Sequence, residues 1–265
     1  MHPSAPFLHR AALAVLPATL LLAACSKTDT PAPTPVADAG SVLFVNAAAS
    51  TPVGIKIFAG NDEKTTLIYG SNNGGASAVY QTVPVGNPTI KVDNAAAAGT
   101  SFFSQGVTVA KDQKYSYFVY STSTDANTAP SGKLFADDLA APTTGKAKIR
   151  LVNVAYGYPS PVAAISLSQI QPVGFLPLTS AVGVFEASNF IEINPGPVNL
   201  LITTGVSPTG NTVGAVGDGT GAGTGAMGTG TKNYEAGKIY TIVVRGTAGT
   251  PDPTRQPKAF IIQNN

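Results

Sequence analysis

The 265-residue chain has no tryptophan, one cysteine, two methionines and two histidines, and only 11% of its residues are charged. Each shortage excludes something. Both histidines, His2 and His9, lie in the first ten residues, so the rest of the chain lacks the commonest general base and the commonest zinc-binding nitrogen ligand. Ser-His-Asp and Cys-His nucleophilic machinery is excluded with them. A single cysteine, Cys25, rules out an internal disulfide, leaving packed cores to hold the fold. Chemistry built on carboxylates alone stays open, but Asp and Glu together number 14, and only Asp62-Glu63 and Asp137-Asp138 are adjacent. The expectation is therefore a non-enzymatic protein with no catalytic residue, cofactor or metal site. Apart from Arg10, the 15 Lys+Arg nearly balance the 14 Asp+Glu and are scattered in ones and twos. No basic patch for nucleic acid is expected.

What is present begins with an address. Met1 to Arg10 carries one positive side chain, and an uncharged apolar run of 14 residues follows, Ala11 to Ala24. This is the layout of a secretory signal. The run is shorter than the roughly 20 residues of a spanning helix, and Pro17 interrupts it. It ends Leu22-Ala23-Ala24-Cys25, which resembles the bacterial lipobox. The resemblance implies cleavage of residues 1–24, a diacylglyceryl group on the Cys25 sulfur and an acylated new amino terminus. Only a thiolate is nucleophilic enough to form that thioether, and two or three acyl chains suffice for stable anchoring. Ser26, where inner-membrane lipoproteins tend to carry Asp, favours the outer membrane by the same resemblance. The expected partner at this end is the membrane itself, with its facing left open. Residues 25–40 then read as a disordered tether, with prolines at 31, 33 and 35. At about 3.1 Å per residue it reaches roughly 45 Å.

Beyond the tether the chain reads as strands. Val42–Val45, Gly54–Phe58, Ala78–Val83, Thr89–Val92, Gly106–Val109 and Tyr115–Tyr120 are short, β-branched or aromatic, and bounded by Gly, Pro, Asn or Asp. No stretch sustains the i, i+3, i+4 apolar spacing of a helix. The pattern also repeats. Val42-Leu-Phe-Val-Asn-Ala-Ala48 matches Ile149-Arg-Leu-Val-Asn-Val-Ala155 at an offset of 107 residues. Val83–Val92 pairs similarly with Ile193–Ile202, Val109–Val119 with Tyr234–Val244, and Gly132–Ala136 with Lys258–Ile262. The expected fold is all-β, two tandem immunoglobulin-like antiparallel sandwiches. Their expected bounds are 41–139 and 147–265, joined by a linker at 140–146.

The strand Arg150-Leu-Val-Asn-Val-Ala155, a later Pro-Gly turn and Glu235-Ala-Gly-Lys-Ile-Tyr-Thr-Ile-Val-Val244 resemble the bacterial domain-of-unknown-function 4397 family. The resemblance covers most of both repeats, the first being more divergent. It implies a secreted or lipid-anchored envelope protein and brings no catalytic or ligand residues with it.

Four local features remain. Gly205 to Lys232 contains Gly223-Thr-Gly225-Ala-Met-Gly228, formally G-x-G-x-x-G. No amphipathic helix follows, so it reads as a variable loop between strands, not a dinucleotide turn. Tyr156 and Tyr158 lie on a loop and are the candidate ligand-binding residues, able to stack on a sugar or anchor a protein; packing against their own sandwich is the more economical reading. Asp62-Glu63 and Asp137-Asp138 lack calcium-loop spacing and read as solvated turns. Lys146, Lys148 and Arg150 alternate, which predicts one solvated strand face guarding an edge.

The expected function is a non-catalytic, lipid-anchored cell-envelope protein acting as a binding or structural/adhesion module. Two alternatives are a carbohydrate-binding lipoprotein of a polysaccharide-uptake system and a fimbrial or anchor-type subunit polymerising by strand donation. A glycan or envelope-protein partner distinguishes them.

Overall fold

The computed structural model describes residues 38–51, 53–97, 99–157, 164–204, 212–216 and 232–265. Ala37–Asn265 forms one compact unit. Cys25, the tether as far as residue 37 and Tyr158 lie outside the described residues, while Ala39 and Gly40, expected to end the tether, open the first strand.

Every regular element described is a strand. The first half contains β1 (Ala39–Ala47), β2 (Ile55–Ala59), β3 (Asp62–Leu67), β4 (Gln81–Pro84), β5 (Thr89–Asn94), β6 (Ser101–Gly106), β7 (Lys114–Tyr120) and β8 (Ser131–Ala136). The second begins with β9 (Ala147–Tyr156), β10 (Ile165–Ile170), β11 (Phe175–Pro177), β12 (Glu186–Ala187), β13 (Ile191–Ile193) and β14 (Gly196–Val198). It ends with β15 (Leu200–Thr204), β16 (Thr212–Val216), β17 (Lys232–Tyr234), β18 (Ile239–Thr247) and β19 (Lys258–Gln263).

The repeat is visible in the topology. One sheet of the first half runs β4-β1-β7-β8, and its counterpart runs β12-β9-β18-β19 with β13 also on β9. The opposing sheets run β3-β2-β5-β6 and β11-β10-β15-β16, and β14 and β17 pair as a separate two-stranded sheet. Each half is thus an immunoglobulin-like sandwich. Most pairs are antiparallel, but β1 pairs β7, and β9 pairs β18, in parallel.

Alternation along β1 shows how the layers stack. Val42 and Phe44 point into the core of the first sandwich, with Ile57, Ile90 and Tyr117. Leu43, Val45 and Ala47 point the other way, into a core shared with Val152, Val154, Val243 and Ile262 of the second half. β9 and β18 alternate likewise: Ile149, Leu151, Tyr240 and Ile242 fill the second sandwich. The two sandwiches therefore stack sheet on sheet, four layers deep around three cores. β1 and β9 are buried on both faces, which is why both read as nearly continuous apolar runs.

The matched asparagines of the repeat have a shared structural task. Asn46 and Asn153 are fully buried. Asn46 Nδ2 donates to the Leu67 carbonyl at 3.2 Å, and its Oδ1 accepts from the Ala48 N–H at 3.1 Å. Asn153 does the same with the Val182 carbonyl (3.4 Å) and the Ala155 N–H (3.3 Å). Each ties the end of its half's first strand to the segment leading back from the next hairpin.

Three local expectations are corrected. Lys148 and Arg150 do not face solvent: Lys148 is 8% exposed and Arg150 1%, because the face they share is covered by the first half. Asp137 is not a solvated turn residue; its carboxylate is buried and meets Arg150. The glycine-rich segment is not all loop, since Thr212–Val216 within it forms β16 against β15, and Val216 is buried in the second core. Residues 205–211 and 217–231 lie outside the described residues. Smaller shifts occur at strand ends: β4 starts at Gln81, and β6 stops at Gly106, leaving Val109 in a single bridge with Gly86.

Candidate binding surface

β1 and β9 run in the same sense through the stack, so the molecule has a base and a far end. At the base the chain enters β1, where the Asp112 N–H donates to the Ala39 carbonyl at 3.0 Å. The base also holds a polar ring that crosses between the halves. Arg150 Nη2 lies 2.6 Å from Asp137 Oδ1. Asp137 Oδ2 accepts from Tyr80 (2.7 Å) and Ser116 (2.6 Å). Tyr80 in turn accepts from Asn264 Nδ2 at 3.0 Å. Asn264 Oδ1 accepts from Thr241 Oγ1 at 2.8 Å, and Arg150 Nε returns to Thr241 at 3.1 Å. Burial, helped by the neighbouring Asp137 carboxylate, pushes the Tyr80 phenol well above its ordinary range, so it stays a donor to Asp137.

Asp138, next to Asp137, is also committed. Asp138 takes the Lys148 ammonium at 3.0 Å, and that hydrogen bond holds its carboxyl below the usual range. Asp62 and Glu63 are exposed on β3, Glu63 lying 3.5 Å from Lys56. An open depression of about 450 Å³ at the base is lined by Asp112, Lys114, Asp137 and Asp138. Asp137 and Asp138 serve the structural contacts above, and Lys114 lies over the Tyr80 ring at 5.0 Å. Among the described residues no group of three or more His, Cys, Asp or Glu is placed to hold a metal ion.

The far end is chemically different. Tyr120 closes β7, Tyr156 closes β9, and Phe185 rises from the turn before β12. The three rings form a row across both halves. Tyr120 stacks on Phe185 with centroids 3.9 Å apart and planes at 25°, and Phe185 faces Tyr156 at 6.5 Å and 5°. Phe185 holds a left-handed φ of 62°. For a residue with a Cβ that costs roughly 1–2 kcal/mol. Its N–H donates to the Asn153 carbonyl at 2.7 Å, and the Glu186 carboxylate accepts from the Gly183 N–H at 3.1 Å, fixing the turn. Tyr156 is 42% exposed, so of the two tyrosines expected to contact a ligand, it both packs on its own protein and keeps accessible surface. Tyr120 and Phe185 were not foreseen, because their convergence depends on how the halves stack.

Fold and surface together define a stacked pair of immunoglobulin-like sandwiches with an aromatic row at one end. Residues 40–160 match the model of the family described as "Domain of unknown function (DUF4397)". That segment comprises the first sandwich and β9, the half whose residues resemble the family less obviously to the eye. No curated protein matches the chain. Among solved structures, a candidate cell adhesion protein from Bacteroides eggerthii is 13% identical, covering 86% of this chain and 98% of its own, with a TM-score of 0.22. A leucine-rich repeat protein from Bacteroides thetaiotaomicron is 9% identical, covering 84% of this chain and 27% of its own, with a TM-score of 0.18. At such scores neither likeness bears on fold or function.

Proposed function

We propose that this is a non-catalytic cell-envelope lipoprotein, anchored through Cys25, whose far end is a contact surface for an envelope partner. The observation that carries the reading is the separation of the two ends. The chain enters at the base of β1, and the Tyr120–Phe185–Tyr156 row lies beyond its other end. Nine residues of strand place these about 30 Å apart. The lipobox at Leu22–Cys25 and the proline-rich tether would put the base toward the membrane, the outer membrane by preference. The conversion of buried carboxylates into cross-ties supports a scaffold over an enzyme. A backbone held against its preference at Phe185 supports a surface shaped for contact.

A glycan is the partner class the row favours, since an exposed tyrosine face backed by another parallel ring offers a rigid platform for a sugar. The reading is tested in two measurements on cells. Cys25→Ser is expected to move the protein out of the membrane fraction and to end incorporation of labelled palmitate, with the fold intact. Tyr156→Ala is expected to weaken glycan-array binding about tenfold, the equivalent of 1.4 kcal/mol. Continued palmitate labelling of the serine variant would contradict the anchor, and unchanged array binding would contradict the surface.

A further inference from the structure

Exposed apolar residues gather at the base. β10 starts beside Val182, whose carbonyl also accepts from Asn153 near the end of β9, so it runs from the far end back to the base. Its last residue, Ile170, donates its N–H to the Asn199 carbonyl at 3.1 Å, just before β15 begins. The turn Gln171-Pro-Val-Gly174 then leads into β11, with Ile170 in register with Phe175. Val173 at the tip is 92% exposed, and Ile170 and Leu176 on either side are exposed as well. No residue between Arg150 and Glu186 is charged. The first half adds a second apolar tip at the same end. Val85, in the turn after β4, is exposed and donates its N–H to the Asp38 carbonyl at 3.4 Å, where the chain enters.

The fold does not require an apolar tip here. β10 and β11 hold the places in their sheet that β2 and β3 hold in the first half. The β2–β3 hairpin turns through Gly60 and Asn61 and continues as Asp62-Glu63-Lys64. Asp62 and Glu63 are exposed and ion-paired, with Lys64 and Lys56 respectively. One sheet position thus carries a polar tip in the first half and an apolar tip in the second. Three exposed apolar side chains in one hairpin, with Val85 at the same end, mark a contact surface.

We infer that the β10–β11 hairpin, with Val85 beside the entering chain, dips into the lipid interface and seats the base on the membrane. The inference rests on the reading of Cys25 as the anchor, because that reading puts a bilayer at this end. Residues 25–37, at about 3.1 Å each, span roughly 40 Å at full extension, so a slack tether lets the base touch lipid. An uncharged tip with apolar side chains suits the boundary between headgroups and acyl chains, about 5–10 Å deep. The backbone suits it too. Pro172 has no N–H, and Gln171 donates its own to the Gly174 carbonyl at 3.1 Å, so neither brings an unpaired donor into lipid. With lipid chain and hairpin both engaged, the aromatic row points away from the membrane; the anchor alone would leave the body free to turn on its tether.

The test takes the chain from Cys25 onward and couples that only cysteine to a maleimide phospholipid in phosphatidylcholine vesicles. The chain has no tryptophan, so an introduced one reports its own surroundings. Val173→Trp is expected to shift its emission to the blue and to be quenched by lipid brominated in its acyl chains. Ile68→Trp, at a position 70% exposed just after β3 at the far end, is expected to keep its emission. In a second measurement the Cys25→Ser chain, carrying no lipid, is floated with the same vesicles. Adding Val173→Asp is expected to lower its partition about tenfold, the equivalent of 1.4 kcal/mol, with Tm unchanged. Unmoved Val173→Trp emission, or equal quenching of Ile68→Trp, overturns the inference. So does a dimer in solution that Val173→Asp dissolves while vesicle partition stays the same. Because the coupling is chemical, these results do not depend on palmitate labelling of Cys25 in cells, and either reading can fail alone.

Discussion

Asp137→Ala is expected to lower the unfolding free energy by about 3–5 kcal/mol, measured by denaturant titration. The size follows from what is left behind. Arg150 is 1% exposed, and removing its counter-charge 2.6 Å away strands a guanidinium between the two sandwiches. Tyr80 and Ser116 lose their acceptor in the same step. The double variant Asp137→Asn/Arg150→Met removes both charges and keeps an oxygen for the two hydroxyls. It should recover at least half of the loss, because replacing a buried pair by matched neutral groups is often near neutral. A loss below about 1 kcal/mol for Asp137→Ala, the range of exposed pairs, would mean the ring is not a cross-tie.

Phe118→Ala is expected to cost about 3–5 kcal/mol as well, for an apolar reason. Phe118 is fully buried in the core between the halves and meets Phe135 edge-on at 5.8 Å. The distribution of the loss matters as much as its size. Since Val152, Val154, Val243 and Ile262 share that core, amide exchange should accelerate in β15 of the second half as much as in β5 of the first. Acceleration confined to β5 would show that the halves are held only by their covalent connection.

Both effects arise at the surface that was hardest to read in the sequence. Strands were legible because β-branched and aromatic residues mark them, and the two matched Asn residues, Asn46 and Asn153, marked the repeat. Alternation in Lys146, Lys148 and Arg150 correctly separates two faces of a strand, but it does not say what covers each. The covering layer is the other half, which meets Arg150 through Ser116, Ala136 and Asp137 and Lys148 through Asp138. The available hint was in β1 and β9 themselves, whose uninterrupted apolar character belongs to strands covered on both sides. Asp137-Asp138 misled for a related reason: one residue of the pair is exposed and the other is inside the interface.

The candidate surfaces were legible only in part. Tyr156 was visible as an aromatic on a loop, while Tyr120 and Phe185 come from elements 36 residues before and 29 residues after it. Arg245 and Lys258 are ordinary strand residues until β18 pairs with β19 and sets them opposite each other, with the Tyr69 ring against the Arg245 guanidinium. A chain whose charges look evenly scattered thus concentrates two buried cations in one place.

The central claim is that two sandwiches stacked through a shared core form one body, which holds the far-end residues of both in register. Scanning calorimetry of Ala37–Asn265 tests it most directly. A single transition, with calorimetric and van't Hoff enthalpies equal, is the predicted result. Two resolved transitions, or a calorimetric enthalpy well above the van't Hoff value, would contradict it.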